Sequence, residues 1–461
     1  MRALFRIAAI AVAGATLYWA GLLNSIILGR PEFPGAPLVV IAIAAAVVVI
    51  AGSLRGTGQG DALTPPARPR LHRALWLFVC LMATISIAWL FTTPRQHAED
   101  RTPYHNDAIA LDECAAHLVI QGKDPYAALD IFSCYAPLEI GADRTTPLRR
   151  GIFADVAVYP SDDELDAAWA LREKSGGNVE FVARPSYPAL SFLLLIPFVA
   201  LGVDTNYVYL GCLVAAMALI VRRASSGLRP FVLTGLLGAS CLVAFTIGGS
   251  ADLLYALPLV AAWIWRDRLA GGAAFGIAAA VKQVAWFVAP FYLIAVVASH
   301  GWRAAGKHAA LVAAVFALAN APFAMWHPGD WIAGVLTPVR EPMFPRGAGL
   351  VFLSTNGGLP LLPASLYLAL EGLAMVACLV IAWRARRSSP EIGIALALIP
   401  LFFAWRSLFS YVFLIPLFAF AGLVRMPVGD LEAQLAREAG ALTLFALPAN
   451  LRAVARNERA A

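Results

Sequence analysis

The sequence predicts an all-α, polytopic membrane protein, a bundle of about 12 transmembrane helices with one large polar loop. Of its 461 residues, 60% are apolar and only 14% are charged, and its mean hydropathy is +0.72. A soluble domain has roughly 45–50% apolar and about 25% charged residues. The excess of apolar residues suits helix sides that face lipid, where no polar cover is needed.

The apolar segments give the predicted spans, because a membrane-crossing helix needs roughly 17–25 mostly apolar residues. The clear candidates are 5–29, 36–53, 74–92, 230–247, 309–325, 361–383 and 408–424. Shorter candidates are 186–203, 205–221, 252–265, 269–282, 284–299 and 391–404. We expect the first segment to be retained as a helix, because more spans follow it and it lacks a convincing cleavage site.

Lysine and arginine residues predict the orientation, since they concentrate in cytoplasmic loops. The predicted cytoplasmic turns contain Arg55, Arg68, Arg70 and Arg73, then Arg266 and Arg268, Arg303 and Lys307, and Arg384, Arg386 and Arg387. The loop 93–185 instead holds 16 acidic against 9 basic residues. We therefore expect this loop on the outer side of the cell (inner or plasma) membrane, and both chain ends on the cytoplasmic side.

The segment count and the predicted orientation conflict at one place. The candidate segments number 13, an odd count, whereas basic residues at both ends (Arg2 and Arg6; Arg425) require an even number of crossings. We expect that one segment within 186–221 does not fully span. The chain then divides into 1–73, with two spans and a cytoplasmic loop, a core at 74–424, and an amphipathic cytoplasmic tail at 425–461.

The outer loop begins with a predicted short helix along the membrane surface. Asn106 or Asp107 is placed to cap a helix over 107–121, and Gly122 and Pro125 end it. Three features follow one another here: the acidic Asp107 after a span, the short helix, and the Gly-x-Asp-Pro-Tyr stretch at 122–126. A Tyr-Pro pair, Tyr187-Pro188, then opens the next apolar run.

This order of motifs resembles the bacterial membrane glycosyltransferases that use polyprenyl-phosphate sugars, and most specifically glycosyltransferase family 87. Residues 248–254 are similar to the family's Gly-Gln-x-(Asn/Asp)-x-Leu turn without its Gln, and 278–282 are similar to its Ala-Ala-x-x-Lys segment. Gln283 replaces the usual proline, and Asn356-Gly357 stands where the family often has Asn-Gln. The resemblance covers roughly residues 74–424.

The resemblance implies a GT-C-type fold and an inverting transfer of mannose or a related sugar. The donor would be a polyprenyl-phosphate sugar and the acceptor an extracytoplasmic glycolipid or glycan, with membrane lipids around the protein and no nucleic acid partner. Such a transfer needs a base for the acceptor hydroxyl, and positive charge or a metal for the departing phosphate. Asp107 is the first candidate for the base and Asp112 the second. A plain helix cap is the competing interpretation for Asp107, and a solvated helix face for Asp112.

Further residues are candidates for binding the substrates. For the donor phosphate they are Lys282, Arg340, Arg346 and Arg406, and for the sugar or acceptor they are Tyr126, Tyr187, Asp252 and Asn356. Each type also has a purely structural interpretation, such as snorkelling for a lysine at a helix end or interfacial anchoring for a tyrosine. No cofactor is indicated, and the sequence leaves the use of a divalent metal open.

Two cysteines predict a disulfide. Cys114 and Cys134 both fall in the loop assigned to the oxidising side. The other four cysteines lie in apolar spans and are expected to pack as small hydrophobic residues. No cysteine and histidine spacing matches a zinc site.

Three other classes compete with the glycosyltransferase interpretation. A secondary transporter would place charges and helix breaks at mid-membrane in paired halves, and no such internal repeat is visible. A polysaccharide ligase or polymerase also has large outer loops, but such ligases rely on arginine and histidine in a late loop. A structural membrane protein is the third alternative.

Overall fold

The computed structural model describes residues 2–27, 33–55, 69–99, 106–247 and 249–426. Several features singled out in the sequence lie outside these residues. They are the tail from 427 onward, residues 56–68 of the loop before the third span, and Gly248.

Helices make up nearly all of the regular structure in the described ranges. They are α1 Arg2–Ile27, α2 Ala36–Ser53, α3 Pro69–Glu99, α4 Asp107–Ile120, α5 Pro125–Ala128, α6 Ile131–Tyr135, α7 Asp162–Ser175, α8 Leu190–Leu193, α9 Ile196–Ala200, α10 Thr205–Arg223, α11 Arg229–Gly238, α12 Cys241–Ile247, α13 Leu253–Ile264, α14 Leu269–Val281, α15 Val284–Trp326, α16 Pro328–Val335, α17 Thr337–Arg340, α18 Phe352–Thr355, α19 Ala364–Ala385, α20 Ile392–Leu396 and α21 Ile415–Leu423. A parallel ladder pairs β1 Arg346–Gly347 with β2 Arg406–Ser407.

The long helices confirm an all-α protein with membrane-spanning segments. Among the described residues, 6 helices are long and apolar enough to cross a membrane, namely α1, α2, α3, α10, α15 and α19, or 7 if α11 and α12, bent by 56°, form one span. Large apolar side chains cover their outer surfaces: Leu318 is 80% exposed, Phe91 74% and Leu77 72%. Apolar surface of this extent suits contact with lipid rather than water.

The longest helix, α15, reverses direction at Gly301. The backbone leaves helical geometry there, with φ 80° and ψ 175°, a conformation that suits glycine. The hydroxyl of Tyr292 lies 2.7 Å from Nδ1 of His308, although 16 residues of continuous helix would separate them by about 24 Å. Residues 284–300 and 302–326 are therefore two antiparallel arms, as the two spans predicted at 284–299 and 309–325 require.

The segment 186–203 does not form one helix. Its two short helices, α8 and α9, are separated around Leu194 and Leu195, and Gly202 ends the segment with φ 67°. Both short helices pack against the loop helix α4. At a rise of about 1.5 Å per residue, neither helix approaches the ~30 Å of a bilayer core. Segment 186–203 therefore does not contain a helix long enough to span by itself, and its exclusion from the predicted crossings stays a prediction.

Helices α13 and α14 form a hairpin that places charged pairs at its two ends. At the open end of the hairpin, Lys282 pairs with Asp252. At the opposite end, Arg266 binds Glu391 through both carboxylate oxygens, at 2.8 and 2.5 Å. Arg425 anchors the end of the described chain to Asp267 beside this second pair.

The outer loop folds as a small lobe with its own core. The helix predicted at 107–121 is confirmed as α4, with Gly122 ending it at φ 74°. Apolar side chains from α4 and from the rest of the loop form the core of the lobe, and Phe344 of the second outer loop inserts among them. The two outer loops therefore form one structure above the spans.

Candidate functional site

Asp107 lies at the first turn of α4 and is fixed there by several hydrogen bonds. Asn106 rather than Asp107 caps the helix, because its Oδ1 accepts from the backbone N–H of Ile109. The Asn106 amide also donates to the carbonyl of Gly249 at 3.2 Å, in the turn before Asp252. Half-buried Asp107 accepts a hydrogen bond from the hydroxyl of Thr146. Its carboxylate thus joins the start of the loop helix to Thr146, while Asn106 joins it to the α12–α13 turn.

Lys282 and Asp252 form a buried ion pair at the start of α13 and the end of α14. Lys282 Nζ lies 2.6 Å from Asp252 Oδ1, and both side chains are less than 10% exposed. The ammonium also lies 4.7 Å from the centre of the Tyr187 ring, a cation–π distance. Because Asp252 compensates its charge, Lys282 is not a free cation.

Asp112 is a second buried carboxyl, one and a half turns further along α4. It is 1% exposed, and its Oδ1 accepts from the Ser191 hydroxyl at 2.8 Å. Its Oδ2 has no hydrogen-bond partner among the described residues. Burial raises the pKa of Asp112 to about 7, while Ser191 and Lys282 act in the opposite direction.

Arg346 and Arg406 form a cationic pair in the outer lobe. They are register partners in the β1–β2 ladder, which depends on glycine because a Cβ on Gly347 would lie 2.1 Å from the carbonyl oxygen of Ser407. The Arg346 guanidinium lies 4.2 Å from the centre of the Tyr159 ring. Neither arginine forms an ion pair within the part of the chain that the structure describes. Nη1 of Arg406 is buried without a hydrogen-bond partner there.

Two tyrosines connect Asp107 with both cationic groups. Burial raises the pKa of Tyr159; Arg346 and Arg406 lower it and Asp107 raises it, so all three charges lie near its hydroxyl. Lys282 lowers the pKa of Tyr187 and Asp107 raises it, so these two charges lie near the Tyr187 hydroxyl. Asp107 therefore interacts with one tyrosine beside an uncompensated guanidinium pair and with another beside a compensated buried ion pair. This arrangement can accept a proton at one point and stabilise an anion at the next.

Three residues predicted to bind substrate lie elsewhere or are occupied. Tyr126 is buried, and its hydroxyl donates to the carbonyl of Tyr187 at 2.7 Å, so it positions Tyr187. Arg340 is exposed at the end of α17. Asn356 joins two early spans, since its amide donates to the carbonyl of Ile27 and its own carbonyl accepts from the N–H of Phe33.

Tyr159, Thr146 and Ser191 of the site were not predicted from the sequence. One signal for Tyr159 was available, because Tyr159-Pro160 repeats the Tyr-Pro pair at 187–188. Thr146 and Ser191 show no local pattern. Gln283, noted only as a departure from the family motif, donates to the carbonyls of Ser186 and Val335, both at 2.7 Å.

Cys114 and Cys134 form a disulfide, with their Cα atoms 5.9 Å apart. The bond joins α4 to α6, so it clamps the helix that carries both candidate carboxylates. Within the described residues, no group of three or more histidine, cysteine, aspartate or glutamate side chains is arranged to hold a metal ion.

Comparison with protein-family models, with curated proteins and with solved structures finds no match for this chain. The class of protein that the fold defines is therefore an all-α membrane protein, and its activity is inferred from the site.

Proposed function

We propose that this protein is a membrane glycosyltransferase that moves a sugar from a polyprenyl-phosphate donor to the hydroxyl of a glycolipid or glycan. The observation that carries the proposal is the placement of Asp107 and the Arg346–Arg406 pair around Tyr159. Arg346 lies over the Tyr159 ring, the Tyr159 hydroxyl donates to the carbonyl of Thr145, and the next residue, Thr146, donates to Asp107. A base beside an uncompensated cationic pair is what displacement of a phosphate by a hydroxyl requires. The order of motifs resembling glycosyltransferase family 87 supports the same class.

In the proposed reaction, Asp107 acts as the general base. The acceptor oxygen attacks the anomeric carbon, the bond from that carbon to the phosphate oxygen breaks, and the carboxylate takes the hydroxyl proton. The lipid phosphate leaves with the bonding electrons. One direct displacement inverts the configuration and needs no covalent enzyme intermediate. The hydrogen bonds from Thr146 and from the Ala108 N–H fix the orientation of the carboxylate.

Arg346 and Arg406 hold the donor phosphate in this proposal. Guanidinium groups match phosphate oxygens in geometry and bind them through paired hydrogen bonds. The buried Nη1 of Arg406, which has no partner among the described residues, is then satisfied by the ligand. Lys282 is already neutralised by Asp252, so in this proposal it is not a phosphate ligand and belongs to the region beside Tyr187.

The topology that suits this function has about 12 crossings with the site on the outer side. With 186–203 removed from the 13 predicted segments, both chain ends lie on the same side. The short helices α13 and α14 contain 12 and 13 residues, or roughly 18–20 Å. If their Arg266 end lies at the inner surface, the Lys282–Asp252 pair sits below the outer surface of a ~30 Å core. A donor that is itself embedded in lipid can reach such a depth.

Donor binding by arginine variants tests the proposal. The full-length protein in nanodiscs is titrated with farnesyl phosphate, and with its mannosyl, glucosyl, galactosyl and arabinosyl derivatives. We expect Arg406→Ala and Arg346→Ala each to weaken binding of every lipid phosphate at least tenfold, because charged hydrogen bonds contribute about 1.5–3 kcal/mol. The exposed Arg340→Ala is the matched control and should bind normally. Equal weakening by all three substitutions, or no binding by the unmodified protein, would overturn the proposed phosphate site.

A further inference from the structure

A cluster of buried polar atoms without partners surrounds the Lys282–Asp252 pair. The hydroxyl of Ser250, the hydroxyl of Tyr255 and Oδ2 of Asp112 are all buried, and none of them has a hydrogen-bond partner in the described ranges. Ser250 stands two residues before Asp252, and Tyr255 follows it on the first turn of α13. We call these three groups the buried polar cluster.

Packing and electrostatic interactions relate the cluster to the ion pair. Asp112 accepts from Ser191 of α8, and α8 packs against α14, the helix that ends at Lys282. Asp112 interacts with both Lys282 and Asp252, and the Tyr255 hydroxyl interacts with the same two residues and with Tyr187. The cluster therefore belongs to the surroundings of the ion pair beside Tyr187, whereas the arginine pair lies beside Tyr159.

Leaving these atoms unpaired is costly. Each buried polar atom without a partner costs about 1–3 kcal/mol, and more than 90% of such groups in folded proteins have one. Here three fall within one region, next to the proposed reaction centre. A partner for them must form hydrogen bonds with the Asp112 carboxyl and with two hydroxyls, each of which can donate and accept. Adjacent hydroxyls of a sugar ring have this chemistry.

We propose that the buried polar cluster binds the ring hydroxyls of the donor sugar, with Asp112, Ser250 and Tyr255 as its partners. This inference rests on the proposed function and adds to it the part of the site that recognises the sugar. The Lys282–Asp252 pair supplies one further donor and one further acceptor at the same place. In this arrangement the sugar lies in the buried polar cluster, and its phosphate binds the Arg346–Arg406 pair.

The experiment separates recognition of the sugar from recognition of the lipid phosphate. Binding of farnesyl phosphate to the full-length protein in nanodiscs is compared with binding of its mannosyl, glucosyl, galactosyl and arabinosyl derivatives. The quantity measured is the affinity gained from the sugar. We expect at least one sugar to raise the affinity, and Ser250→Ala and Tyr255→Phe each to reduce that gain about three- to tenfold, the effect of one hydrogen bond. Both variants should bind farnesyl phosphate itself unchanged.

Two matched substitutions remove a hydroxyl far from the cluster. Ser240→Ala alters a buried serine at the α11–α12 break, and Tyr292→Phe alters a hydroxyl that contacts His308; both should keep the full gain. If all lipids bind but no sugar raises the affinity, or if the gain survives Ser250→Ala and Tyr255→Phe, the inference is overturned and the phosphate site stands. If no lipid phosphate binds at all, the proposed function itself fails.

Discussion

Replacing Asp112 by Asn should flatten the pH dependence of this protein's stability between about pH 4 and pH 8. Burial raises the pKa of the Asp112 carboxyl in the folded protein from 3.8 to about 7. The folded state therefore keeps this proton over a pH range in which the unfolded state releases it. The contribution of Asp112 is most favourable below pH 3.8, and it is lost as the pH rises towards 7.

The structure gives the size of this effect. A difference of about 3 between the folded and unfolded pKa corresponds to about 4 kcal/mol, at 1.36 kcal/mol per pH unit. The side chain is 1% exposed, so solvent does not screen the penalty. Asn keeps the shape and can still accept from Ser191, but it carries no titrating proton. The contribution of Asn at position 112 to the free energy of unfolding is therefore independent of pH.

Thermal unfolding in detergent between pH 5 and pH 9 measures the effect. The unfolding temperature of the unmodified protein should fall relative to that of Asp112→Asn as the pH rises to about 7, and the two curves should run parallel above it. Ser191→Ala is a second test. The Ser191 hydrogen bond lowers the Asp112 pKa, so its loss should raise that pKa and shift the fall in unfolding temperature to higher pH. Parallel curves over the whole range would refute the assignment of a neutral buried carboxyl.

Three other predictions concern the fold. Non-reduced peptides should show Cys114 joined to Cys134, and replacing both by Ser should lower stability by roughly 3 kcal/mol, the chain-entropy estimate for a loop of this size; free alkylation without reductant would contradict this. Glu391→Ala leaves Arg266 buried without its partner and should cost about 3–5 kcal/mol. Asp267→Ala removes a carboxylate that is 44% exposed from its pair with Arg425 and should cost less; equal losses would contradict a larger contribution from the buried pair. Single cysteines in the loops 93–185 and 326–360 should be labelled from outside intact cells and those in 54–73 should not, and the reverse pattern would invert the topology.

The sequence predicted the fold class and several helix bounds because both depend on local composition. Long apolar runs and Gly122 act within one helix or turn, so α4 and α19 fall close to their expected positions. Segment 186–203 was a candidate span because its residues are apolar, and the sequence did not show which segment within 186–221 fails to span. Its apolar residues instead form two short helices that pack against α4, and composition does not distinguish that surface from lipid.

The candidate site was predicted only in part because its contacts are long-range. Asp107, Asp112, Asp252 and Lys282 lie near one another, and each stood out in the sequence beside a helix end or a motif. Arg346 and Arg406 are joined by a ladder of two residues, which is too short to leave a strand pattern. Asn356 stood out through its motif position, yet its amide binds the carbonyl of Ile27, a contact that no local pattern encodes.

The most direct test of the central claim is sugar transfer by the Asp107→Asn variant. The full-length protein is supplied with polyprenyl-phosphate sugars and membrane glycolipid acceptors, and formation of the glycosylated product is followed. We expect the unmodified protein to transfer at least one sugar, and Asp107→Asn to fold, insert and bind farnesyl phosphate normally while transfer falls by about 10²–10⁴-fold, the usual worth of a general base. Transfer at a near-normal rate by Asp107→Asn would contradict the account.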